Sequence, residues 1–187
     1  LTMSYRRDGT SRFTVDNRWS NFPAVAVGWK LNEENFLKDV EVVSSLKLRG
    51  GWGITGQQDI GLDPYPSVPL YFGSNGQAQY QIGDTFYTTY RPQHYNSNLK
   101  WEQTTTINAG IDFGFFDNRF TGSADVYQRD TDDLLLYTYN PPFFGFTNQF
   151  HYNVGSIRNK GVELSAQVIP VSNDDWEWTV GGNVTFQ

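Results

Sequence analysis

The 187-residue chain contains no cysteine and only two histidines. Without cysteine it forms neither a disulfide nor a thiolate metal site. His94 and His151 lie far apart in segments without helical periodicity, so they do not make the histidine pair of a helical zinc motif. We therefore predict no cofactor and no metal.

Long apolar runs are absent as well. No stretch approaches the ~18 consecutive apolar residues of a membrane-spanning helix, and the mean hydropathy is −0.54. These features do not exclude a transmembrane β-barrel, because alternate residues of each barrel strand face the lumen. The net charge of −6 argues against a nucleic-acid-binding surface.

What the chain does contain is alternation. Between Gly161 and Phe186, two runs of alternating apolar and polar residues are joined by a turn-like segment at 170–175; the apolar set is Val162, Leu164, Ala166, Val168, Trp178, Val180, Val184 and Phe186. Such a pattern predicts an antiparallel hairpin with one wet face. Each run also has about the length that a tilted strand needs to cross a bilayer.

The same pattern predicts an all-β chain with seven antiparallel strands. They are residues 1–7, 20–30, 45–56, 100–115 and 119–129 and the two runs of the hairpin. The fifth strand is a candidate for continuation through Leu134 to Tyr137. Segment 31–44 is a candidate for one turn of helix at residues 33–37.

Charged residues fall on one face of strands three to seven. That face carries no large aliphatic residue, and its charged members are Lys47, Arg49, Asp112, Asp125 and Glu163. A charge on the opposite, lipid side would cost roughly 2–4 kcal/mol near the midplane. We expect these five side chains to face the lumen or a plug, with ion pairs among them.

Alternation alone also fits a soluble sandwich, so the connection lengths matter. The turns at 116–119 and 170–175 fall at one end of the predicted sheet, and the connections at 57–99 and 130–157 fall at the other. Short turns on one rim and long loops on the other are typical of an outer-membrane barrel. Aromatic residues near the strand ends are expected to form interface girdles: Phe113, Phe115, Phe116, Phe120, Trp176 and Trp178 at one rim, Trp101 and Phe186 toward the other.

The two long connections are rich in aromatic residues. Aromatic faces with hydroxyl groups suit sugar rings, although such residues also hold a long loop together or contact a partner. The candidate ligand- or partner-contacting residues are Tyr65, Tyr71, Phe72, Tyr87, Tyr90, His94, Tyr95, Tyr139, Phe143, Phe144 and Phe146.

Several motifs, in order along nearly the whole chain, resemble the SusC/RagA family of TonB-dependent outer-membrane transporters. They are Ser4–Phe13 with Asn17-Arg18-Trp19, Leu46–Arg49 with Thr55-Gly56-Gln57, Leu99–Glu102, Asn108–Asp112, Thr131–Leu135, and Asn153-Val154-Gly155 with Asn159–Glu163. Ser97 departs from the pattern, since the family often has proline there. The family's plug and TonB-contacting box have no counterpart in these residues.

The resemblance implies that residues 1–187 are part of a bacterial outer-membrane barrel of about 22 strands. We expect them to be an excerpt of a longer chain, without the plug domain. The implied function is import of an oligosaccharide, or of a peptide in some members, without enzymatic activity. The implied partners are a SusD-like lipoprotein at the extracellular rim, TonB acting through the plug, and outer-membrane lipid.

Other interpretations have less support in the residues. A soluble, aromatic-rich carbohydrate-binding β-sandwich remains an alternative. A glycosidase would need two of Asp112, Asp125 and Glu163 as an acid and base pair. The segment Asp130–Asp133 lacks the spaced ligands and the glycine of a calcium loop. The arginines near the first strand indicate a salt-bridged loop, with anion capture as the alternative: Arg6, Arg7, Arg12 and Arg18.

Overall fold

The fold was analysed in a computed structural model, which describes residues 1–59, 61, 65–139 and 149–187. In chain order the strands are β1 (Thr2–Gly9), β2 (Trp19–Lys30), β3 (Val43–Gln57), β4 (Tyr71–Gly73), β5 (Tyr80–Ile82), β6 (Thr85–Tyr87), β7 (Tyr90–Pro92), β8 (Glu102–Phe115), β9 (Phe120–Asp132), β10 (Leu135–Tyr139), β11 (Gln149–Asn153), β12 (Ser156–Ser172) and β13 (Glu177–Phe186).

Seven of these strands form one antiparallel sheet in the order β1-β2-β3-β8-β9-β12-β13. This confirms the all-β prediction and its seven strands. The first strand of the predicted hairpin is longer than expected, because Ser156–Gly161 continues to pair with the end of β9. The sheet is a single layer, so it does not have the two packed layers of the alternative β-sandwich.

Two local predictions were wrong. The fifth strand does not run on to Tyr137: Asp133 adopts a left-handed conformation (φ 58°), which breaks the strand, and β10 then pairs with β11 instead. The helix is a 3₁₀ turn at Leu31–Glu33, which ends at Glu34 in an extended conformation. Near the predicted position there is only a hydrogen-bonded turn, in which the backbone N–H groups of Leu37 and Lys38 donate to the carbonyl of Glu34, each at 2.9 Å. Glu34 there accepts a hydrogen bond from Trp29 Nε1 at 2.9 Å.

No helix in the described part of the chain is both long enough and apolar enough to cross a membrane.

The register places apolar and polar residues in separate rows across the sheet. One row of paired residues runs through five strands and is wholly apolar: Leu48, Ile111, Ala124, Leu164 and Val184. The adjacent row is polar or lacks a side chain: Arg49, Gly110, Asp125, Glu163 and Thr185. Because a shift of one residue would exchange the two faces, the pattern specifies the register.

The apolar face is open to the surroundings. Ile107 is 54% exposed, Val126 is 52% exposed and Leu164 is 41% exposed. A soluble protein rarely leaves so continuous an apolar surface uncovered. An apolar outer face opposite a polar inner face is what a barrel strand presents to lipid and to lumen.

The connections follow the predicted asymmetry. Residues 116–119 and 173–176 make short turns at one rim, where the connection 31–42 also lies. The connections 10–18, 58–101 and 133–155 lie at the opposite rim. The second rim therefore carries the longer connections.

A lysine on the apolar face should destabilise the protein far more than one on the polar face. In the full-length protein in phospholipid vesicles, we expect Leu164→Lys to lower the free energy of unfolding by about 2–4 kcal/mol. The matched control is Gln167→Lys on the same strand, paired with Thr121 and Gly181 on the polar face. Equal denaturant midpoints for the two variants would contradict the assignment of the faces.

Candidate functional site

The three long-rim connections share a buried apolar cluster, called here the loop core. It consists of Phe13, Phe22, Leu99 and Trp101, all less than 7% exposed, with Ile54 and Leu135 packed against it. Trp101 meets Phe13 and Phe22 edge-on, with ring centroids 6.0 and 5.4 Å away. The prediction that Trp101 belongs to an interface girdle is therefore wrong, because its ring is covered by Phe13 of the first connection and Phe22 of β2.

Hydrogen bonds between side chains and backbone tie the same connections together. Trp101 Nε1 donates to the carbonyl of Arg18 at 3.1 Å, and Thr14 Oγ1 donates to the carbonyl of Ser97 at 3.1 Å. Ser67 Oγ donates to the carbonyl of Arg12 at 2.7 Å. Each bond joins a side chain of one connection to the backbone of the other, so specific groups hold the first and second connections together.

Asn153 joins the second and third long-rim connections. Its side-chain oxygen accepts from the backbone N–H of Lys100 at 2.9 Å. Its Nδ2 donates to the carbonyls of Lys100 and Asp133 at 2.9 and 2.8 Å. The ammonium of Lys100 also contacts the Asp133 carboxylate at 2.8 Å. In the sequence Asn153 is recognisable only as part of a motif, because its role depends on partners 20 and 53 residues away.

Part of the basic cluster near β1 is ion-paired, as the salt-bridge interpretation predicted. Arg6 contacts Asp8 at 2.9 Å, and Arg12 contacts Asp59 at 3.1 Å. The backbone N–H of Gly61 and then the Arg12 guanidinium lower the pKa of the Asp59 carboxyl. Asp59 therefore stays ionised and holds the first connection against the second.

Beyond the loop core, residues 71–92 form an exposed double hairpin, called here the aromatic arm. β4 pairs with β7, and β5 pairs with β6 around a turn at Gly83 (φ 62°). Tyr80 and Tyr87 are directly opposite each other, 64% and 50% exposed. Cross-strand neighbours share one face of a hairpin, so these two tyrosines form a single aromatic surface.

Most of the predicted contact residues lie on or beside this arm and are exposed. Tyr65 and Tyr95 flank it, and it carries Tyr71, Phe72, Tyr87 and Tyr90. Tyr139 is exposed at the end of β10. Phe143, Phe144 and Phe146 lie outside the described residues.

His94 differs from the other candidates because it is partly buried. Burial lowers the pKa of its imidazole, so the ring is neutral at neutral pH. The other histidine, His151, is buried on β11 and packs against the ring of Tyr137 with centroids 4.8 Å apart. Among the described residues no group of three or more His, Cys, Asp or Glu side chains is placed to hold a metal ion.

The predicted lumen-facing charges come together around Arg49. Its guanidinium lies 2.9 Å from Asp112 and 2.8 Å from Asp125. Gly110, directly opposite Asp125, leaves the space that this carboxylate occupies, since a Cβ there would overlap it. Lys47 pairs across the strands with Asp112, and Glu163 pairs with Asp125. Two carboxylates held by one arginine are poorly suited to act as an acid and base pair.

Removing Leu99 should loosen the extracellular loops without unfolding the sheet. Leu99 is fully buried, so we expect Leu99→Ala to cost about 2–5 kcal/mol locally. Hydrogen exchange of the full-length protein should then accelerate in residues 10–18 and 65–99. Leu70→Ala, at an exposed position of the same connection, is the control. Unchanged protection in the Leu99 variant would show that the loop core does not hold the loops.

Replacing Arg49 should destabilise the sheet through its two carboxylate partners. The three side chains are 34%, 40% and 18% exposed, so solvent screening limits the effect of Arg49→Met to about 1 kcal/mol. Adding Asp125→Asn should restore part of the loss. Lys47→Met, which removes the same charge, should cost less. A double-mutant cycle with zero coupling between Arg49 and Asp125 would refute the pair.

Comparison with known proteins identifies the family to which this fold belongs. The family model described as TonB dependent receptor-like, beta-barrel matches residues 1–187. TonB-dependent receptor SusC of Bacteroides thetaiotaomicron is 53% identical over 186 residues, which cover 100% of this chain and 18% of that protein. TonB-dependent receptor P39 of Formosa agariphila is 39% identical over 192 residues, 100% of this chain and 17% of that protein.

Solved structures agree with the sequence relatives. The RagAB peptide importer in its closed-closed state aligns with a TM-score of 0.84 at 30% identity, over 98% of this chain and 19% of that one. The siderophore receptor PirA from Pseudomonas aeruginosa aligns with a TM-score of 0.52 at 14% identity, over 92% of this chain and 29% of that one, and supports the fold alone.

The chain thus spans about a fifth of the length of the curated relatives it matches. These relatives are named as receptors, in agreement with the prediction of a non-enzymatic protein. The match of the family model, the identity to SusC and the RagAB structural alignment all agree with the motif resemblance. The chain belongs to the SusC/RagA family of TonB-dependent receptors of the bacterial outer membrane, and its sheet is a segment of their antiparallel β-barrel.

Proposed function

We propose that the protein imports oligosaccharides across the outer membrane. Residues 1–187 supply part of the barrel wall and part of its extracellular mouth. A SusD-like lipoprotein covers that mouth and delivers ligand, and TonB drives passage through the plug of the family. This segment contributes lipid contact, lumen lining and ligand capture, and no chemical step.

The aromatic arm and its flanks are the observation that carries the glycan assignment. Apart from His94, which is neutral at neutral pH, residues 65–99 contain only two acidic or basic side chains, Asp84 and Arg91. The same segment exposes eight aromatic rings: Tyr65, Tyr71, Phe72, Tyr80, Phe86, Tyr87, Tyr90 and Tyr95. Rings with hydroxyl groups, set among amide and hydroxyl side chains, match the apolar faces and polar edges of uncharged sugars.

Import of peptides is the second candidate, and the RagAB alignment favours it. A peptide carries charged termini and backbone groups that call for charged or strand-like partners. The exposed segment offers few charges, although the free edges of its short strands would accept an extended chain. Comparing the binding of neutral oligosaccharides with that of peptides therefore distinguishes oligosaccharide import from peptide import.

The test is a binding titration with the full-length protein in complex with its lipoprotein. We expect neutral oligosaccharides to bind more tightly than peptides of similar mass. Tyr80→Ala and Tyr87→Ala should each weaken glycan binding roughly 3- to 10-fold, because each removes a stacking ring. Tyr80→Phe should retain most of the affinity, since it keeps the ring.

Phe36→Ala, which removes an exposed ring at the opposite rim, is the control and should leave binding unchanged. Tighter binding of peptides would overturn the glycan assignment in favour of peptide import. Loss of lipoprotein co-purification in the Tyr80 and Tyr87 variants, with glycan affinity unchanged, would instead assign the arm to the partner protein.

A further inference from the structure

The two short ribbons of the aromatic arm follow one line, because the chain stays extended between β6 and β7. The backbone N–H of Ser74 donates to the carbonyl of Thr89 at 2.7 Å, and the backbone N–H of Thr89 donates to Ser74 Oγ at 3.0 Å. A Cβ at Gly73 would lie 3.5 Å from both Thr88 Cγ2 and Tyr90 Cε1. Thr88 and Tyr90 therefore lie on the same face of the arm, as alternate residues of an extended strand do.

The opposite face of the arm, called here the front face, carries two rows of paired side chains. Tyr87 and Arg91 lie on it, because they alternate along the chain with the two residues that contact Gly73. The cross-strand partner of Tyr87 is Tyr80, and that of Arg91 is Phe72. The front face therefore holds a row of two tyrosines and a row that combines a phenylalanine with an arginine.

The row of Phe72 and Arg91 has the chemistry of a sugar subsite. Phe72 is 52% exposed, and Arg91 is exposed beside it. Among the described residues no carboxylate lies at ion-pair distance from the Arg91 guanidinium. An exposed ring suits the apolar face of a sugar, and the N–H donors of an arginine suit its hydroxyl groups.

The spacing of the two rows sets the length of a ligand that contacts both. Tyr87 and Arg91 are four residues apart, which is about 13 Å along an extended strand, or about three sugar units. A disaccharide at one row is therefore too short to reach the other.

We propose that the front face binds an oligosaccharide of about four or more units along the arm, with Phe72 and Arg91 as its second subsite. One end of the ligand stacks on Tyr80 and Tyr87. The unit at the other end lies against the Phe72 ring and accepts hydrogen bonds from the Arg91 guanidinium. Arg91 is thus a residue that determines specificity for chain length. This inference rests on the proposed import of oligosaccharides.

Isothermal titration of the full-length protein in complex with its lipoprotein tests the length requirement. The probes are α-1,4-glucan, β-1,4-glucan and β-1,4-mannan oligosaccharides of two to six units, and the series that binds most tightly is used for the variants. We expect the affinity to rise about tenfold between two and four units and to change little beyond that. Phe72→Ala and Arg91→Gln should each weaken binding of the tetrasaccharide about fivefold. Both should leave binding of the disaccharide unchanged, because it occupies the row of two tyrosines.

Two further variants are controls. Phe72→Tyr keeps the ring and should keep the length dependence. Lys38→Gln removes a charge at the opposite rim and should leave every affinity unchanged. Equal affinity of the unaltered protein for two and four units would overturn the inference and leave oligosaccharide import intact. So would a length dependence that survives Phe72→Ala and Arg91→Gln. Binding of peptides in place of every oligosaccharide series would instead overturn the proposed function, and this inference with it.

Discussion

A strand that crosses hydrocarbon must satisfy its backbone hydrogen bonds within the sheet, and the rest of the structure depends on this constraint. Continuous antiparallel pairing across seven strands satisfies it. Such a strand must also point only apolar side chains toward the lipid, as the row through Leu48, Ile111 and Leu164 does. The polar row lies one residue further along each strand, because successive side chains of a pleated strand point to opposite faces of the sheet. At this level of the sheet, charged side chains such as Arg49 lie on the opposite, polar face.

The same sheet gives the extracellular loops a fixed base. Phe22 on β2 and Trp101 beside β8 bring the loop core to the strand ends, so the loops pack on the sheet rather than on one another alone. Asn153 then joins two connections through three hydrogen bonds. The aromatic arm extends beyond this base. Its exposed rings and few charges are what the proposed capture of neutral ligands requires.

Elements set by local periodicity were predictable from the sequence, and elements set by distant contacts were not. The strands and their faces follow from alternation, which each strand carries within about ten residues. Trp101 was misplaced because its distance from the short turns suggested a membrane interface, whereas its burial depends on Phe13 and Phe22. The break at Asp133 and the sharing of Arg49 between two carboxylates likewise depend on backbone conformation and partners from other strands. The sequence showed that the loop is rich in aromatic residues, but the pairing of Tyr80 with Tyr87 depends on the register of β5 and β6.

Spin-label accessibility along β8 would show which side chains of the sheet meet lipid, and labels can be placed singly because residues 1–187 contain no cysteine. Single labels at residues 106–109, 111 and 113 would be introduced into the full-length protein in vesicles, with cysteines elsewhere replaced. We expect labels at 107, 109, 111 and 113 to collide preferentially with oxygen dissolved in the lipid. Labels at 106 and 108 should collide preferentially with a polar nickel reagent. Accessibility without this alternation, or with the opposite phase, would contradict a lipid-facing apolar sheet.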